Sequence, residues 1–341
     1  MLHAEQALWS PNGRYTLSYQ TDGNLVLYGP AGALFQTETG GRAAGVVIMQ
    51  QDGNLQIHAQ GEPVRQVNSE KSEPGAWLVL QDDGNAVIYK PAGGHVWASQ
   101  TGIPMVAPVQ NNQIRPGQGL YPGQSVWSNN GRYALWYQTD GNLVLNGPAG
   151  VVKAWNTTDM LPGILIMQED GHLVLHSPGG RAVRIIGGTP DHPGAFFVLQ
   201  DNAEAAIYTA DFQTKIWASD TGVPDGPVAT SPYMRAGEIL LPNHGRITSP
   251  EGAYGLVYQP DGNLVLSGPN DVYLWDTATD HKPVGVVMMQ DDGNLVITSY
   301  GGRCIWDTST HGNPGSFAMV RYDGKFVITK PDGDVIFQKP C

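Results

Sequence analysis

The feature that most restricts how this chain can fold is its internal repetition. The segment ALWSPNGRYTLSYQTDGNLVLYGPAG (7–32) returns as SVWSNNGRYALWYQTDGNLVLNGPAG (125–150) and, more loosely, as RITSPEGAYGLVYQPDGNLVLSGPND (246–271). Within each long repeat a shorter unit recurs every 30 to 32 residues, opening at Gln20, Gln50 and Gln81, at Gln138, Gln168 and Gln200, and at Gln259, Gln290 and Arg321. Nine short units cannot each bury a core alone, so they must pack on one another. Proline- and glycine-rich text breaks the series after Gly102 and after Gly222, which predicts three domains, 1–108, 109–228 and 229–341, each of three similar units. With 44 Gly and 25 Pro and no long apolar period of 3.6, the expected class is all-β.

Parity fixes the shape of one unit. In TLSYQTDGNLVLY (16–28) a two-residue turn at Asp22-Gly23 would place polar and apolar residues on the same face. A three-residue loop with Gly23 left-handed instead pairs Gln20 with Asn24, Ser18 with Val26 and Thr16 with Tyr28. Leu17, Tyr19, Leu25 and Leu27 then share the core face, and Gln20, Asn24, Val26 and Tyr28 gather on the other with Asp22 at the tip. Amide, carboxylate, valine and phenol suit a ligand rich in hydroxyls; a solvated sheet face is the other reading of the same pattern. A second mark follows many units, as VWASQTG from Val96, AWNTTD from Ala154, IWASDTG from Ile216, LWDTATD from Leu274 and IWDTST from Ile305. Its tryptophan reads as a core plug.

Gln20-x-Asp22-x-Asn24-x-Val26-x-Tyr28 and Gln81-x-Asp83-x-Asn85-x-Val87-x-Tyr89 match in every specified position the signature of the bulb-type (monocot) mannose-binding lectins, which the whole chain resembles. The resemblance implies β-prism II domains, each of three four-stranded sheets around buried tryptophans, with one potential sugar site per sheet and no metal or cofactor. It also implies that Asp and Asn meet the axial 2-hydroxyl of mannose, Gln the 3-hydroxyl and Tyr the 4-hydroxyl, with Val against the ring. Weaker sites are expected where the tyrosine is replaced: Gln138, Asp140, Asn142 and Val144 with Asn146; Gln259, Asp261, Asn263 and Val265 with Ser267; Gln290, Asp292, Asn294 and Val296 with Thr298. The second unit has Gln56 and His58 for Val and Tyr, the fifth His172 and His176 for Asn and Tyr, and the sixth and ninth depart furthest. The family's plant members carry a disulfide within the domain. Here only Cys304 and Cys341 exist, and both a bridge between them and two free thiols remain open.

The expected role is multivalent, non-catalytic binding of terminal mannose on cell-surface glycans, acting outside the cell. Lectin-like bacteriocins, which also carry tandem domains with eroded motifs, give the alternative role of a toxin targeting a competitor's surface. Net charge of −12 disfavours nucleic acid, and no apolar run is long enough for membrane insertion. No carboxylate stands outside the repeat pattern and no nucleophile–base grouping is signalled, so catalysis is not expected. His172 and His176 at i and i+4 on a strand would lie about 13 Å apart, too far to share a metal. Asp-Asp-Gly-Asn at 82–85 and 291–294 lacks the closing Glu of a calcium loop. The oligomeric state is not readable.

Overall fold

The computed structural model describes residues 1–68, 73–109, 111–230 and 232–340. It is all-β apart from one 3-10 turn at Pro269–Asp271. The strands form nine sheets among the described residues: seven four-stranded, one three-stranded and one five-stranded. Large buried cores gather in three separate stretches of chain, spanning 15–88, 114–207 and 229–328.

The parity argument holds at atomic detail. Thr16 pairs with Tyr28, Leu17 with Leu27, Ser18 with Val26 and Tyr19 with Leu25. The Gln20 amide donates to the Asn24 carbonyl at 2.9 Å, and Gly23 sits at φ +85°. Leu17, Tyr19, Leu25 and Leu27 are all buried. Val26 departs from its expected openness: although on the opposite face, it is only 2% exposed, and Val87 only 4%. The valine is therefore a floor beneath the polar groups rather than an open contact surface.

Each stretch closes on itself by nesting its strands. In the middle stretch, 124–127, 134–137, 143–147 and 150–154 make one local sheet, whereas Gln118–Leu120 pairs with Ile164–Met167 and Gln113–Ile114 with Phe196–Leu199. The last stretch repeats this with Ile239–Leu240 and Tyr233–Met234. Two sheets depart from the expected four strands. That of 77–98 has three among the described residues, without an outer strand like Gln113–Ile114. The sheet ending at Gly188 has five, because Ala107–Pro108 in the joining segment runs parallel to Gln118–Leu120.

A core tyrosine links the first sheet of each stretch to the second. The hydroxyls of Tyr19, Tyr137 and Tyr258 accept the amides of Gly45, Gly163 and Gly285 at 3.1, 3.1 and 3.2 Å. Only glycine fits there, since a Cβ would run into the carbonyls of His58, His176 and Thr298. Burial pushes Tyr137 and Tyr258 up to about 12, against the lowering effect of those amides. The tryptophans of the second mark, Trp97, Trp155, Trp217, Trp275 and Trp306, pack on the cores as expected. Trp9, Trp77 and Trp127, on outer strands, are exposed instead.

Candidate functional site

The hairpin tip organises the polar face through two local locks. In all nine units the side-chain oxygen of the third motif residue accepts the amide two residues on, at 2.9 to 3.4 Å, as in Asp22 Oδ1 with the Asn24 amide and Asp83 Oδ1 with that of Asn85. This Asx turn holds the carboxylate over the loop. In Asp22 and Asp83 Oδ1 is consumed by the turn and Oδ2 remains, whereas Asp52 Oδ2 already accepts from Asn54 Nδ2 and Asp170 Oδ2 meets His172 Nδ1.

The second lock comes from the residues after the aromatic of the following strand, Phe35 in the first unit and tryptophan in most others. Thr37 and Thr39 flank Glu38, which is left-handed at φ 56°. The Leu25 amide donates to Thr37 Oγ1, Thr39 Oγ1 donates to the Gly23 carbonyl at 2.7 Å, and Asn24 Oδ1 accepts both Thr37 Oγ1 and the Thr39 amide at 3.2 Å. The same latch recurs with Ser99 on Asn85, Thr157 on Asn142, Thr277 and Thr279 on Asn263, and Thr308 and Thr310 on Asn294. The Asn oxygen is thus structural throughout, and Asn24 is only 9% exposed. Its Nδ2 is the group left for an outside partner.

What stands beside that Nδ2 differs between units. In the first, it donates to Gln36 Oε1 at 3.3 Å; in the eighth, Asn294 Nδ2 donates to Asp307 Oδ1 at 3.4 Å. Burial of Asp307 acts to raise its pKa, but hydrogen bonds from Ser309 and Asn294 outweigh it and hold the carboxyl below its usual range. In the third unit the same strand position is Ala98, which has no group to take the amide. The Gln81 site is the least self-satisfied of the three.

At the far end of the face, Gln20 Nε2 donates to the Tyr28 hydroxyl at 2.8 Å and Gln81 Nε2 to that of Tyr89 at 2.7 Å. Trp77 stacks beside Tyr89, centroids 6.0 Å apart. The sixth unit keeps this pair, Gln200 to Tyr208 at 2.6 Å, but Glu204 replaces the Asn and is bound by Lys215 at 2.8 Å. In the second unit Gln56 bridges Gln50 and His58 at 3.1 Å each. In the fifth, His172 meets Asp170 at 3.1 Å while His176 lies 3.2 Å from Gln168 and 2.8 Å from the Gly180 carbonyl. The seventh keeps Gln259, Asn263 and Val265 around a hollow of about 450 Å³ with Ser267 and Tyr273. No group of three or more His, Cys, Asp or Glu among the described residues could hold a metal. The Cys304 thiol is exposed, and a bridge to Cys341 lies outside the described residues.

Gly40 and Gly102 are site residues that the sequence reading passed over. A Cβ on either would come within 3.0 Å of the remaining oxygen, Oδ2, of Asp22 or Asp83. The signal was present as Thr-x-Thr-Gly (37–40), in a stretch with Phe35 in place of a tryptophan, and as Ser-x-Thr-Gly (99–102), inside a mark read only for its tryptophan.

No protein-family model matches the chain. Over 105 residues it is 35% identical to a mannose-specific lectin of Aloe arborescens, covering 30% of this chain and 92% of that protein. Among solved structures, a monomeric monocot mannose-binding lectin of Gastrodia elata is 33% identical, with 31% of this chain and 92% of that one covered and a TM-score of 0.29. The snowdrop (Galanthus nivalis) agglutinin complexed with methyl-α-D-mannoside is 27% identical, with 30% and 94% covered and a TM-score of 0.27.

Proposed function

Because the chain belongs to the bulb-type mannose-binding lectin family, we propose that it binds terminal mannose on cell-surface glycans through the faces opened by Gln20 and Gln81. The observation that carries this reading is the division of labour at the hairpin tip. Asp Oδ1 and Asn Oδ1 are consumed by the fold, so Asp Oδ2 and Asn Nδ2 form an acceptor–donor pair at one point of the surface. One sugar hydroxyl can donate to the first and accept from the second, while the Gln–Tyr pair reads neighbouring hydroxyls. A hydroxyl pointing the wrong way leaves these groups unpaired, which is the basis for rejecting glucose.

The three cores correspond, on this reading, to three tandem β-prism II domains, 1–108, 109–228 and 229–341. Gln20 and Gln81 lie on different sheets of the first, so they suit branched glycans or the bridging of two surfaces. The protein acts as a multivalent lectin outside the cell, without catalysis. Its weaker faces at Asn142, Asn263 and Asn294 keep the latch but lack the tyrosine.

The test is calorimetric titration of the full chain with methyl-α-mannoside and methyl-α-glucoside, alongside the double variant Asp22→Asn, Asp83→Asn. Asparagine keeps the Asx turn, as Asn202 does at 3.0 Å in the sixth unit, but turns the free acceptor into a donor. The variant is expected to stay folded and to lose about 10-fold or more in mannoside affinity. Unchanged affinity, or equal binding of glucoside, overturns the proposal.

A further inference from the structure

The Gln81 face opens into a cleft of about 670 Å³. One side is formed by Gln81, Asp83 and Asn85, and the other by Met105 of the joining segment and by Gly179 and Gly180 from the middle stretch of the chain. The Gln20 face is flanked by its own stretch, with the Arg42 amide donating to the Asp22 carbonyl at 3.0 Å.

The far wall of the cleft is fixed. The Gly179 amide donates to the Gly102 carbonyl at 2.8 Å, and Gly179 is left-handed at φ +88°. A Cβ there would strike the Gln100 carbonyl, so the approach depends on glycine. Beneath it, Ile103, Tyr121 and Ile164 form a buried cluster that joins the segment after the Gln81 site to the sheet carrying Gly179. Arg14 lies over the Tyr121 ring at 3.9 Å, adding a cation–π contact across the same join.

A single pyranose has about twelve non-hydrogen atoms and fills only a fraction of a hollow whose size falls in the roughly 300–1,000 Å³ range of small-molecule sites. The remaining lining suits more sugar. Met105, 73% exposed, offers an apolar contact for ring C–H groups, and the glycine turn offers backbone groups with no side chain in the way. We infer that this cleft holds a second sugar residue linked to the one bound by Gln81, Asp83 and Asn85, so that this site recognises mannose oligosaccharides whereas the Gln20 site recognises the single residue. The inference rests on the mannose reading given above.

The test compares methyl-α-mannoside with a linear mannotriose on two full-length variants, Gln20→Ala and Gln81→Ala. The Gln20→Ala chain is expected to bind the trisaccharide about 10-fold or more tighter than the monosaccharide, and the Gln81→Ala chain at most about 3-fold, the statistical gain from three rings. Equal gains in the two variants overturn the inference, as does monosaccharide binding without any gain; both leave the mannose reading standing. Absence of methyl-α-mannoside binding by the unaltered chain overturns both.

Discussion

Replacing Asn24 separates the part of the site that builds the fold from the part that meets a ligand. Asn24→Ala removes the acceptor of the buried Thr39 amide, 3.2 Å away, and of the Thr37 hydroxyl. The hydroxyl keeps alternatives in the Leu25 carbonyl at 3.3 Å and Thr39 Oγ1 at 2.9 Å. The amide does not rotate and is orphaned, which costs about 1–3 kcal/mol. For a cooperative unit near 100 residues this lowers its melting temperature by roughly 5–15 °C. Asn24→Asp keeps Oδ1 for the latch but replaces the Nδ2 donor, and with it the bond to Gln36 Oε1, by an acceptor, so it is expected to cost less stability than Asn24→Ala while removing the same ligand contact. Thermal unfolding and hydrogen exchange at the Thr39 amide read the first effect, and mannoside titration in a Gln81→Ala background reads the second. If Ala and Asp destabilise equally, or if Thr39 exchange is unchanged in Asn24→Ala, the latch is not what holds this turn.

Gly102→Ala brings a methyl group to 3.0 Å from Asp83 Oδ2. It is expected to lower mannoside affinity at that site by about 3- to 10-fold with little change in melting, checked by titrating the Gln20→Ala chain. Burial also pushes Tyr15, Tyr133, Tyr137 and Tyr258 up to about 12. Tyrosine in an unfolded chain titrates near 10, so the folded state holds these protons longer, and their contribution is complete below about pH 10 and lost as pH rises toward 12. Denaturant midpoints are expected to fall across that window, and a flat profile would show that the phenols ionise without unfolding.

Strand register was legible in the sequence because alternation of period two admits one loop length at Thr21-Asp22-Gly23. The motif's polar side chains were legible for the same reason. What stayed hidden was the other end of their hydrogen bonds. Asn24 reads as an exposed hairpin residue, yet its partners lie 13 and 15 positions downstream, in a Thr-x-Thr pair that makes no periodic signal. Gly40 and Gly102 were missed because a residue that acts by leaving space has no chemistry to notice. The retained Gln200–Tyr208 pair shows the converse, since a unit counted as eroded keeps half of the geometry while Glu204 and Lys215 fill the rest. The short outer strands such as Gln113–Ile114 are two residues long and are chosen by partners over eighty positions away.

Those outer strands set the order in which the molecule can be made. Ile114 waits for Phe197, and Met234 for Ala318, so a chain emerging from a ribosome completes its local sheet while its earliest strands still have open edges. Closure entropy must be met before these distant pairings stabilise anything, which makes folding slow compared with a helical protein of similar size. A fragment ending before the last hairpin of a unit therefore presents unpaired backbone to its neighbours and is the species most exposed to self-association. Tandem growth of such a protein proceeds in whole units, because half a unit is a sheet without its partner.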